Sequence, residues 1–345
     1  MVFPRTVLVG HGVIDELAST CRQFDFPSRG AVITGPHTAE LAGNRAVEIL
    51  KADGFQVSMI VAHEATGVEV DRVAAEVKSC EARFLVGAGG GSKIDITKVV
   101  AARLRIPYIS LPTSAAHDGI SSPRASLHDS ESVTSLAAAV PIGVIADTAV
   151  IVRAPFRLLA SGCADVISNV TAVLDWRLAV RLRSEEYSST AATLSEYAAQ
   201  EVIDHASAIK PNLEESVWIA IRPILVAGIA MSVAGSSRPC SGSEHLFSHA
   251  LDRVAEHPSL HGEQCGVGAI MMMYLHGGDW KRLKNALVTI GAPTTARELG
   301  VTKEEVVRAL VLAHSIRPDR YTILGDSGLP REAAERLAAV TGVID

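Results

Sequence analysis

A short histidine-rich segment carries the strongest metal-binding signal in the chain. Residues 241–249 read SGSEHLFSH and predict a helix, on which His245 and His249 share one face because they are four residues apart. His261 follows in the string LHGEQCG, where a loop enters the next predicted helix. Imidazole nitrogens are common ligands of zinc and related ions, and two rings from adjacent helices can converge on one ion. The segment therefore predicts a catalytic divalent-metal site.

A carboxylate should complete this site, because catalytic zinc sites usually have three protein ligands and one open position. Asp165 is the best candidate, since it stands in the apolar string GCADVI and a carboxylate in such surroundings needs a strong partner. Local spacing alone would favour joint chelation by His245 and His249. The residues themselves leave open which of these two histidines binds the metal.

A glycine-rich loop indicates a phosphate-binding site. Residues 86–95 read VGAGGGSKID and lie between a predicted strand at 83–86 and a predicted helix at 93–104. Successive glycines let the backbone approach a pyrophosphate closely, and the free N–H groups at the start of the helix hold its charge. The spacing departs from the G-x-G-x-x-G fingerprint, so an ordinary Rossmann site is not predicted. Ser92 and Asp95 are expected to form a capping-box-like start to the helix.

A second polar loop follows the next predicted strand, at 108–111. Residues 112–123 read PTSAAHDGISSP. Open α/β sheets bind ligands at the carboxyl ends of their parallel strands, so we interpret this loop as functional. Its small hydroxyl residues could bond to phosphate or to a nicotinamide amide, and Asp118 could hold a substrate hydroxyl.

The first 150 residues alternate short apolar runs with helical patterns, which predicts an α/β fold with a parallel, doubly wound sheet. From Pro155 onward, long amphipathic stretches separated by short Pro, Gly or Ser breaks predict a helical half. We expect an α/β dinucleotide-binding domain at 1–150 and an α-helical metal and substrate domain at 151–345, with ligands in the cleft between them. The predicted elements are strands at 31–34, 55–61, 83–86, 108–111 and 143–146, and helices at 37–53, 70–80, 93–104, 155–183, 186–209, 213–235, 242–255, 262–276, 279–290, 302–315 and 330–340.

Composition narrows the class of partner. The 345 residues are 48% hydrophobic and 20% charged, and the formal net charge of −6 argues against nucleic acids and anionic membranes. Any anionic substrate must then be held by a local basic cluster. The five cysteines are scattered and form no C-x-x-C pair, which is typical of a reducing cytosol. No basic leader and no run of about 20 apolar residues is evident, so we expect a cytoplasmic protein without membrane insertion.

Several strings together resemble one known family, the sn-glycerol-1-phosphate dehydrogenases of archaea. This family lies within the larger group of glycerol dehydrogenases, iron-containing alcohol dehydrogenases and 3-dehydroquinate synthases. The likeness runs from about residue 5 to past 270, and HDGISSP and SGSEHLFSHALD discriminate best within the group. The strings are GAGGGSKID, LPTSAAHDGISSPRAS, GVIADTAVI, GCADVISNVTAVLDW, SSRPCSGSEHLFSHALD and LHGEQCGVG.

The resemblance implies a role for each matching residue. Asp165, His245 and His261 match the metal ligands, usually one zinc per subunit, and Asp165 also faces the substrate as a catalytic residue. His249 matches a catalytic, substrate-contacting residue, and Asp118 a substrate-binding carboxylate. The cofactor, NAD(H) or NADP(H), is expected to contact Gly91, Ser92, Lys93, Ile94, Asp95, Thr113, Ser114, Ala115, Ala116 and Ser122.

The implied reaction is the reversible reduction of dihydroxyacetone phosphate to sn-glycerol 1-phosphate, for archaeal-type phospholipid biosynthesis, in a homo-oligomer. Arg124 and Arg238 are candidate phosphate ligands because they stand near Asp118 and His245 in sequence. No acidic residue follows the strand at 31–34, which permits NADPH with His37 as a neighbour. Alternative functions are a glycerol dehydrogenase, a 3-dehydroquinate synthase-like enzyme, or a non-catalytic nucleotide-binding protein on the same fold.

Overall fold

A computed structural model describes residues 2–129 and 132–345. Its first half is built around a six-stranded sheet in the order β1-β8-β5-β4-β2-β3, in which every neighbouring pair is parallel. A separate antiparallel hairpin consists of β6 and β7. The strands are β1 (Thr6–Gly10), β2 (Arg29–Thr34), β3 (Gln56–Val61), β4 (Leu85–Gly89), β5 (Tyr108–Pro112), β6 (Arg124–Asp129), β7 (Ser132–Ala137) and β8 (Gly143–Asp147).

The helices of this half lie between the strands. Helices pack on both faces of the sheet, so the central strands read as continuous apolar runs: β4, β5 and β8 are buried along their whole length. The predicted parallel sheet is thus confirmed. The helices are α1 (Leu17–Gln23), α2 (Pro36–Thr38), α3 (Asn44–Ala52), α4 (Gly67–Ser79) and α5 (Gly91–Leu104).

The strand order reverses beside the glycine-rich loop. From β2 the chain moves outward to β3, returns to β4 on the other side of β2, and continues to β5 and β8. Loops that leave adjacent strands in opposite directions open a crevice at their carboxyl ends, where such sheets bind ligands. The loops after β2 and β4 flank this crevice.

After β8 the described elements are all helices, as predicted. The bounds of eight of them agree with predicted helices to within about five residues, whereas the two four-residue helices α6 and α13 were not predicted. They are α6 (Thr148–Ile151), α7 (Phe156–Arg183), α8 (Ser189–Asp204), α9 (Glu214–Ala234), α10 (Ser243–Val254), α11 (His261–Leu275), α12 (Trp280–Ile290), α13 (Ala296–Leu299), α14 (Lys303–Ile316) and α15 (Arg331–Val340).

Two helices are more apolar than the sequence analysis recognised. By length and composition α7 and α9 could each cross a membrane, which corrects the expectation that no such run exists. In the structure 83% of the most apolar window of α7 and 61% of that of α9 is buried inside the protein. Both are core helices of the large helical cluster, and their hydrophobicity is satisfied by packing.

Four elements of the first half, β1, α1, β6 and β7, were not predicted from the sequence. Strand β1 is short and lies at the sheet edge, and helix α1 has only seven residues, so neither has a strong periodic signal. The hairpin β6–β7 reads RASLHD and SVTSLA, with few large apolar residues. It begins directly after the second polar loop and folds over the end of α5.

Close backbone approach fixes α7 against the second polar loop. A Cβ at Gly162 would lie 2.0 Å from the Ala115 carbonyl oxygen. A Cβ at Gly262, in the first turn of α11, would lie 2.0 Å from the Ser161 carbonyl oxygen. Both contacts are backbone to backbone, so a side chain at either position would force elements apart around Asp165.

We predict that Gly162→Ala destabilises the protein. Helix propensity alone would favour alanine by about 1 kcal/mol, but the clash with a carbonyl should outweigh this and lower the free energy of unfolding by about 1–3 kcal/mol. Denaturant titration measures the difference. Ser161→Ala is the control, because it removes only the Oγ hydrogen bond to the Ala116 carbonyl (3.2 Å), worth about 1 kcal/mol. A Gly162→Ala protein as stable as wild type would contradict the packing described.

Candidate active site

A cavity of about 650 Å3 lies between the two halves of the chain. Ser92, from the first turn of α5, and Asp118, from the second polar loop, line it on the sheet side. The three histidines His245, His249 and His261 line it on the helical side. Residues singled out from the sequence for cofactor, substrate and metal, though not all of them, therefore line one cavity.

Three helices bring a set of metal-type donor atoms together inside this cavity. Donor atoms of Asp165 on α7, His245 on α10, and His261 and Cys265 on α11 all lie within 4.8 Å of one another. Oδ1 of Asp165 is 3.7 Å from Nε2 of His245 and 3.8 Å from Nε2 of His261. This Oδ1 is buried and accepts no hydrogen bond from the described residues. A buried carboxylate oxygen without a partner is unfavourable unless a cation satisfies it.

The far sides of both imidazoles are held by neighbouring residues. Nδ1 of His245 lies 2.9 Å from Oε1 of Glu244, and Nδ1 of His261 lies 3.1 Å from Oγ of Ser248. Glu244 is itself fixed by the Gly242 N–H (2.6 Å). Such bonds set the tautomer and the orientation of a metal-binding histidine. They aim both Nε2 atoms at Asp165.

Burial keeps this cluster neutral when no cation is present. Desolvation raises the pKa of Asp165 well above its usual value, and the nearby carboxylate of Asp118 raises it further. Desolvation lowers the pKa of His245, and the charges of His261 and His249 act in the same direction. The site therefore disfavours both carboxylate and imidazolium. A bound divalent cation would instead favour the charged, carboxylate form of Asp165.

His249 stands apart from the donor set. Its ring centroid lies 6.5 Å from that of His245, whereas the rings of His245 and His261 are 4.9 Å apart. Its Nδ1 is 3.7 Å from Oδ2 of Asp252, beyond hydrogen-bond distance, and it faces the cavity. The geometry thus disfavours the joint chelation by His245 and His249 that local spacing allowed.

Asp118 is joined to the donor set through its backbone. Its N–H donates to Oδ2 of Asp165 at 3.1 Å, so the second polar loop orients the carboxylate whose other oxygen lacks a partner. Burial raises the pKa of Asp118 to about 7, although Lys98 and Cys240 oppose the shift. A carboxyl group with this pKa can hold a substrate hydroxyl as donor or acceptor near neutral pH.

The glycine-rich loop turns into α5 without a side-chain cap. The helix begins at Gly91 with Gly90 as its N-cap, so the predicted capping box of Ser92 and Asp95 is wrong. Its first N–H groups are left open toward the crevice. A Cβ at Gly91 would lie 1.9 Å from Nε2 of His117, which explains why this position is glycine.

The carboxylate of Asp95 contacts the β6–β7 hairpin and a buried lysine. Its Oδ2 accepts from the Ser126 N–H at 3.0 Å, and its Oδ1 lies 3.3 Å from the ammonium of the fully buried Lys98. Lys98 also donates to the carbonyl oxygens of Gly119 and Arg124. This buried pair ties α5 to the loop that carries Asp118 and to the start of β6. Lys98 was not singled out from the sequence, although it stands three residues after Asp95.

The other residues expected at the cofactor differ in exposure. Ser92, Asp95, Ala116 and Ser122 line the cavity, and Ile94 is fully buried in the core. Lys93 lies on the outer side of the loop, where its ammonium donates to the His63 carbonyl. Thr113, Ser114 and Ala115 are buried, and the Thr113 N–H donates to the Gly89 carbonyl (3.0 Å), which joins the two loops.

The region after β2 contains acidic residues that come from another loop. His37 lies in α2, and a surface depression beside it is lined by Pro36, Glu64, Glu69 and Lys93. Glu64 and Glu69 thus lie near the end of β2, although β2 itself is not directly followed by an acidic residue, as expected. Glu69 is engaged by Arg72 and by the His63 N–H, and these contacts lower its pKa to about 2.

The two candidate phosphate ligands are placed differently. Arg124 lines the cavity and is half-buried. Arg238 does not line it: its guanidinium pairs with Glu185 and donates to the Tyr321 carbonyl (2.9 Å). Arg317, which the sequence analysis did not consider, lines the cavity instead. It follows the end of α14 in a string, SIRPDRY, that has no motif to mark it.

Comparisons with known proteins bear on the fold and the family of the chain. Residues 8–155 match the family described as iron-containing alcohol dehydrogenase. A glycerol dehydrogenase structure from Schizosaccharomyces pombe superposes with a TM-score of 0.82 at 19% identity, covering 99% of this chain and 89% of that one. A probable glycerol dehydrogenase from Sinorhizobium meliloti gives 0.82 at 20% identity, covering 100% and 99%. At these identities the structures show a shared fold.

Sequence relatives narrow the family further. Glycerol-1-phosphate dehydrogenase [NAD(P)+] of Methanothermobacter thermautotrophicus is 54% identical over 341 residues, which cover 99% of this chain and 98% of that protein. The enzyme of the same name from Methanosarcina barkeri is 52% identical and covers 100% and 97%. Identity at this level over whole chains is far above what a shared fold requires, and the chain belongs to the glycerol-1-phosphate dehydrogenase family.

Proposed function

We propose that this chain is a metal-dependent NAD(P)H oxidoreductase that interconverts dihydroxyacetone phosphate and sn-glycerol 1-phosphate, the glycerol unit of archaeal-type phospholipids. The observation that carries the proposal is the unpartnered Oδ1 of Asp165, which faces two imidazoles in a cavity opposite a glycine-rich loop. The names of the full-length relatives support the substrate and the cofactor.

The donor set of Asp165, His245 and His261 fits a divalent ion, for which we propose zinc, one per subunit. One carboxylate and two neutral imidazoles are ligands that zinc accepts in catalytic sites, and they leave a position for substrate. The bound ion supplies Lewis-acid stabilisation of the negative charge that develops on the substrate C2 oxygen during hydride transfer. The sulfur of Cys265 lies close to these donors, but we do not assign it as a ligand, because burial raises the pKa of its thiol and favours the protonated form.

In this proposal Asp118 and His249 orient the substrate. Asp118 accepts or donates a hydrogen bond at a substrate hydroxyl, since its pKa of about 7 permits both states. His249 faces the same space from α10 and either orients the C2 hydroxyl or takes up its proton. Asp252, close to Nδ1 of His249, would stabilise a protonated ring.

The cofactor would lie along the crevice at the reversal of strand order. The open N–H groups of α5 at Gly91 and Ser92 would hold its pyrophosphate, and the hydroxyls of Thr113, Ser114 and Ser122 would contact the nicotinamide half. We propose residues 1–150 as the dinucleotide-binding domain and 151–345 as the metal and substrate domain. We also propose a cytoplasmic homo-oligomer, on the strength of the family resemblance.

We predict that the zinc-loaded protein oxidises NADPH and NADH when dihydroxyacetone phosphate is added. The measurement follows cofactor absorbance, with chiral analysis of the product, which should be sn-glycerol 1-phosphate. Unphosphorylated glycerol and the seven-carbon phosphate substrate of 3-dehydroquinate synthase are the controls. Turnover of glycerol alone would favour a glycerol dehydrogenase. Release of phosphate from the seven-carbon substrate would favour a 3-dehydroquinate synthase-like enzyme. Strict dependence on NADH would contradict dual cofactor use.

We predict that His245→Ala and Asp165→Asn each abolish metal retention and lower kcat/KM by at least about 100-fold, because the developing charge loses its Lewis acid. Metal analysis after desalting and steady-state kinetics measure the two effects. Cys265→Ser is the matched control, since it lies in the same cluster but is not assigned as a ligand. If Cys265→Ser instead lost its metal, the three-ligand assignment would be wrong.

We predict that His249→Ala keeps its metal and loses about 100-fold in kcat, the lower range for general acid–base catalysis. The ring lies outside the donor set, so metal content should match wild type. Metal analysis and kcat measured on the same preparation separate the two roles. Near-wild-type turnover would remove His249 from the mechanism, and metal loss would restore it as a ligand.

A further inference from the structure

We propose that Arg317 and Arg124 together bind the substrate phosphate, one from each half of the chain. The proposal rests on the proposed function, which it deepens by assigning the group that selects a phosphorylated three-carbon substrate. It replaces Arg238, which its sequence position suggested and which the structure engages elsewhere.

Neither guanidinium has an acidic partner among residues 2–127 and 135–345, whose side chains the structure describes. Arg124 donates only to Ser135, through Nη2 to the carbonyl (2.8 Å) and through Nε and Nη2 to Oγ. The described contacts give the Arg317 side chain no hydrogen bond or ion pair. Arg157, near the site, is instead paired with Glu263, and Arg253, which also lines the cavity, is exposed to solvent. Two half-buried cations facing one cavity without a counter-charge indicate that an anion belongs there.

The charges of Arg124 and Arg317 also act on one another across the cavity. Burial lowers the pKa of Arg124, and the charge of Arg317 lowers it further. Arg317 also disfavours the charged form of Arg320, whose guanidinium is held by the Ser237 hydroxyl (2.9 Å) and the Ser241 carbonyl. Like charges brought together at the edge of a low-dielectric space repel, and a dianion between them converts that repulsion into attraction.

The guanidinium groups also match the chemistry of a phosphate. A guanidinium presents parallel N–H donors that match two phosphate oxygens, which an ammonium cannot do. The hydroxyls of Ser126, Ser237 and Ser241 line the same cavity and can complete the shell of a phosphate. The metal-type donors of Asp165 and the histidines lie in the same cavity, so a short substrate could reach both groups of residues. In a protein of net charge −6, this local basic cluster is what an anionic substrate requires.

The position of the two arginines also couples binding to assembly of the site. Arg124 opens β6, directly after the loop that carries Asp118. Arg317 directly follows α14, which packs on α10, the helix that carries His245 and His249. A phosphate held by both would draw the loop and the metal-binding helix toward each other across the cleft.

The test compares a phosphorylated with an unphosphorylated substrate. In Arg317→Gln and in Arg124→Gln we expect kcat/KM for dihydroxyacetone phosphate to fall about 10- to 100-fold, mostly through KM, as for the loss of a charged hydrogen bond. The kcat/KM for dihydroxyacetone should stay within about 3-fold of wild type. Arg317→Lys should recover part of the loss, because lysine restores the positive charge but not the parallel N–H donors of a guanidinium.

Arg253→Gln is the matched control. This arginine also lines the cavity and has no described partner, but it is exposed to solvent, so its removal should change KM by less than about 3-fold. Equal losses on both substrates in the Arg317 or Arg124 variants would indicate damage to the fold and overturn the assignment. The assignment would also be overturned if the Arg317 and Arg124 variants kept the wild-type preference for the phosphorylated substrate, or if Arg253→Gln raised KM as much as they do.

A binding experiment separates this inference from the proposed function. Inorganic phosphate, added to the zinc-loaded protein, should raise the Tm of the wild type and of Arg253→Gln but not of Arg317→Gln. If the wild type turned over no dihydroxyacetone phosphate, the proposed function would fail, while phosphate stabilisation that depends on Arg317 and Arg124 would still support the anion site. Equal stabilisation of all variants would overturn the anion site even in an active enzyme.

Discussion

The structure depends on one buried carboxylate. Asp165 lies within the long core helix α7, with one oxygen fixed by the Asp118 N–H and the other left without a hydrogen bond. A buried carboxylate oxygen without a hydrogen bond is unfavourable unless a cation satisfies it. His245 on α10 and His261 on α11 face this oxygen and could supply a cation's remaining ligands. This constraint links the stability of the core directly to the chemistry of the site.

Glycines allow the elements to meet at the required separation. Gly162 brings α7 against the Ala115 carbonyl, and Gly262 brings α11 against Ser161. Without these approaches Asp165, the second polar loop and His261 would be held further apart. Glu244 and Ser248 then fix the rings of His245 and His261 from behind. The geometry of the donor set therefore follows from backbone packing first and from side-chain hydrogen bonds second.

Periodicity and glycine content were sufficient to predict the parallel sheet, the helical half and the two loops, because these signals are local in the sequence. Side-chain partners from distant segments were beyond prediction. Asp95 looked like a helix cap, but its carboxylate bonds to Ser126 and lies beside Lys98. Cys265 joins the donor set because α11 packs on α7, and Arg317 reaches the cavity because α14 packs on α10. No motif near either residue carries that information.

The cavity combines two electrostatic environments that would be unfavourable if each stood alone. Burial disfavours the charged form of Asp165, while Arg124 and Arg317 line the cavity without an acidic partner among the described side chains. A phosphorylated ketone and a divalent ion would satisfy both, since the ion stabilises the carboxylate and the phosphate stabilises the guanidinium groups. The ligands of the proposed reaction would thus relieve both kinds of electrostatic strain. The proposed anion site would also favour a phosphorylated substrate, because an uncharged triol would leave the arginines unpaired.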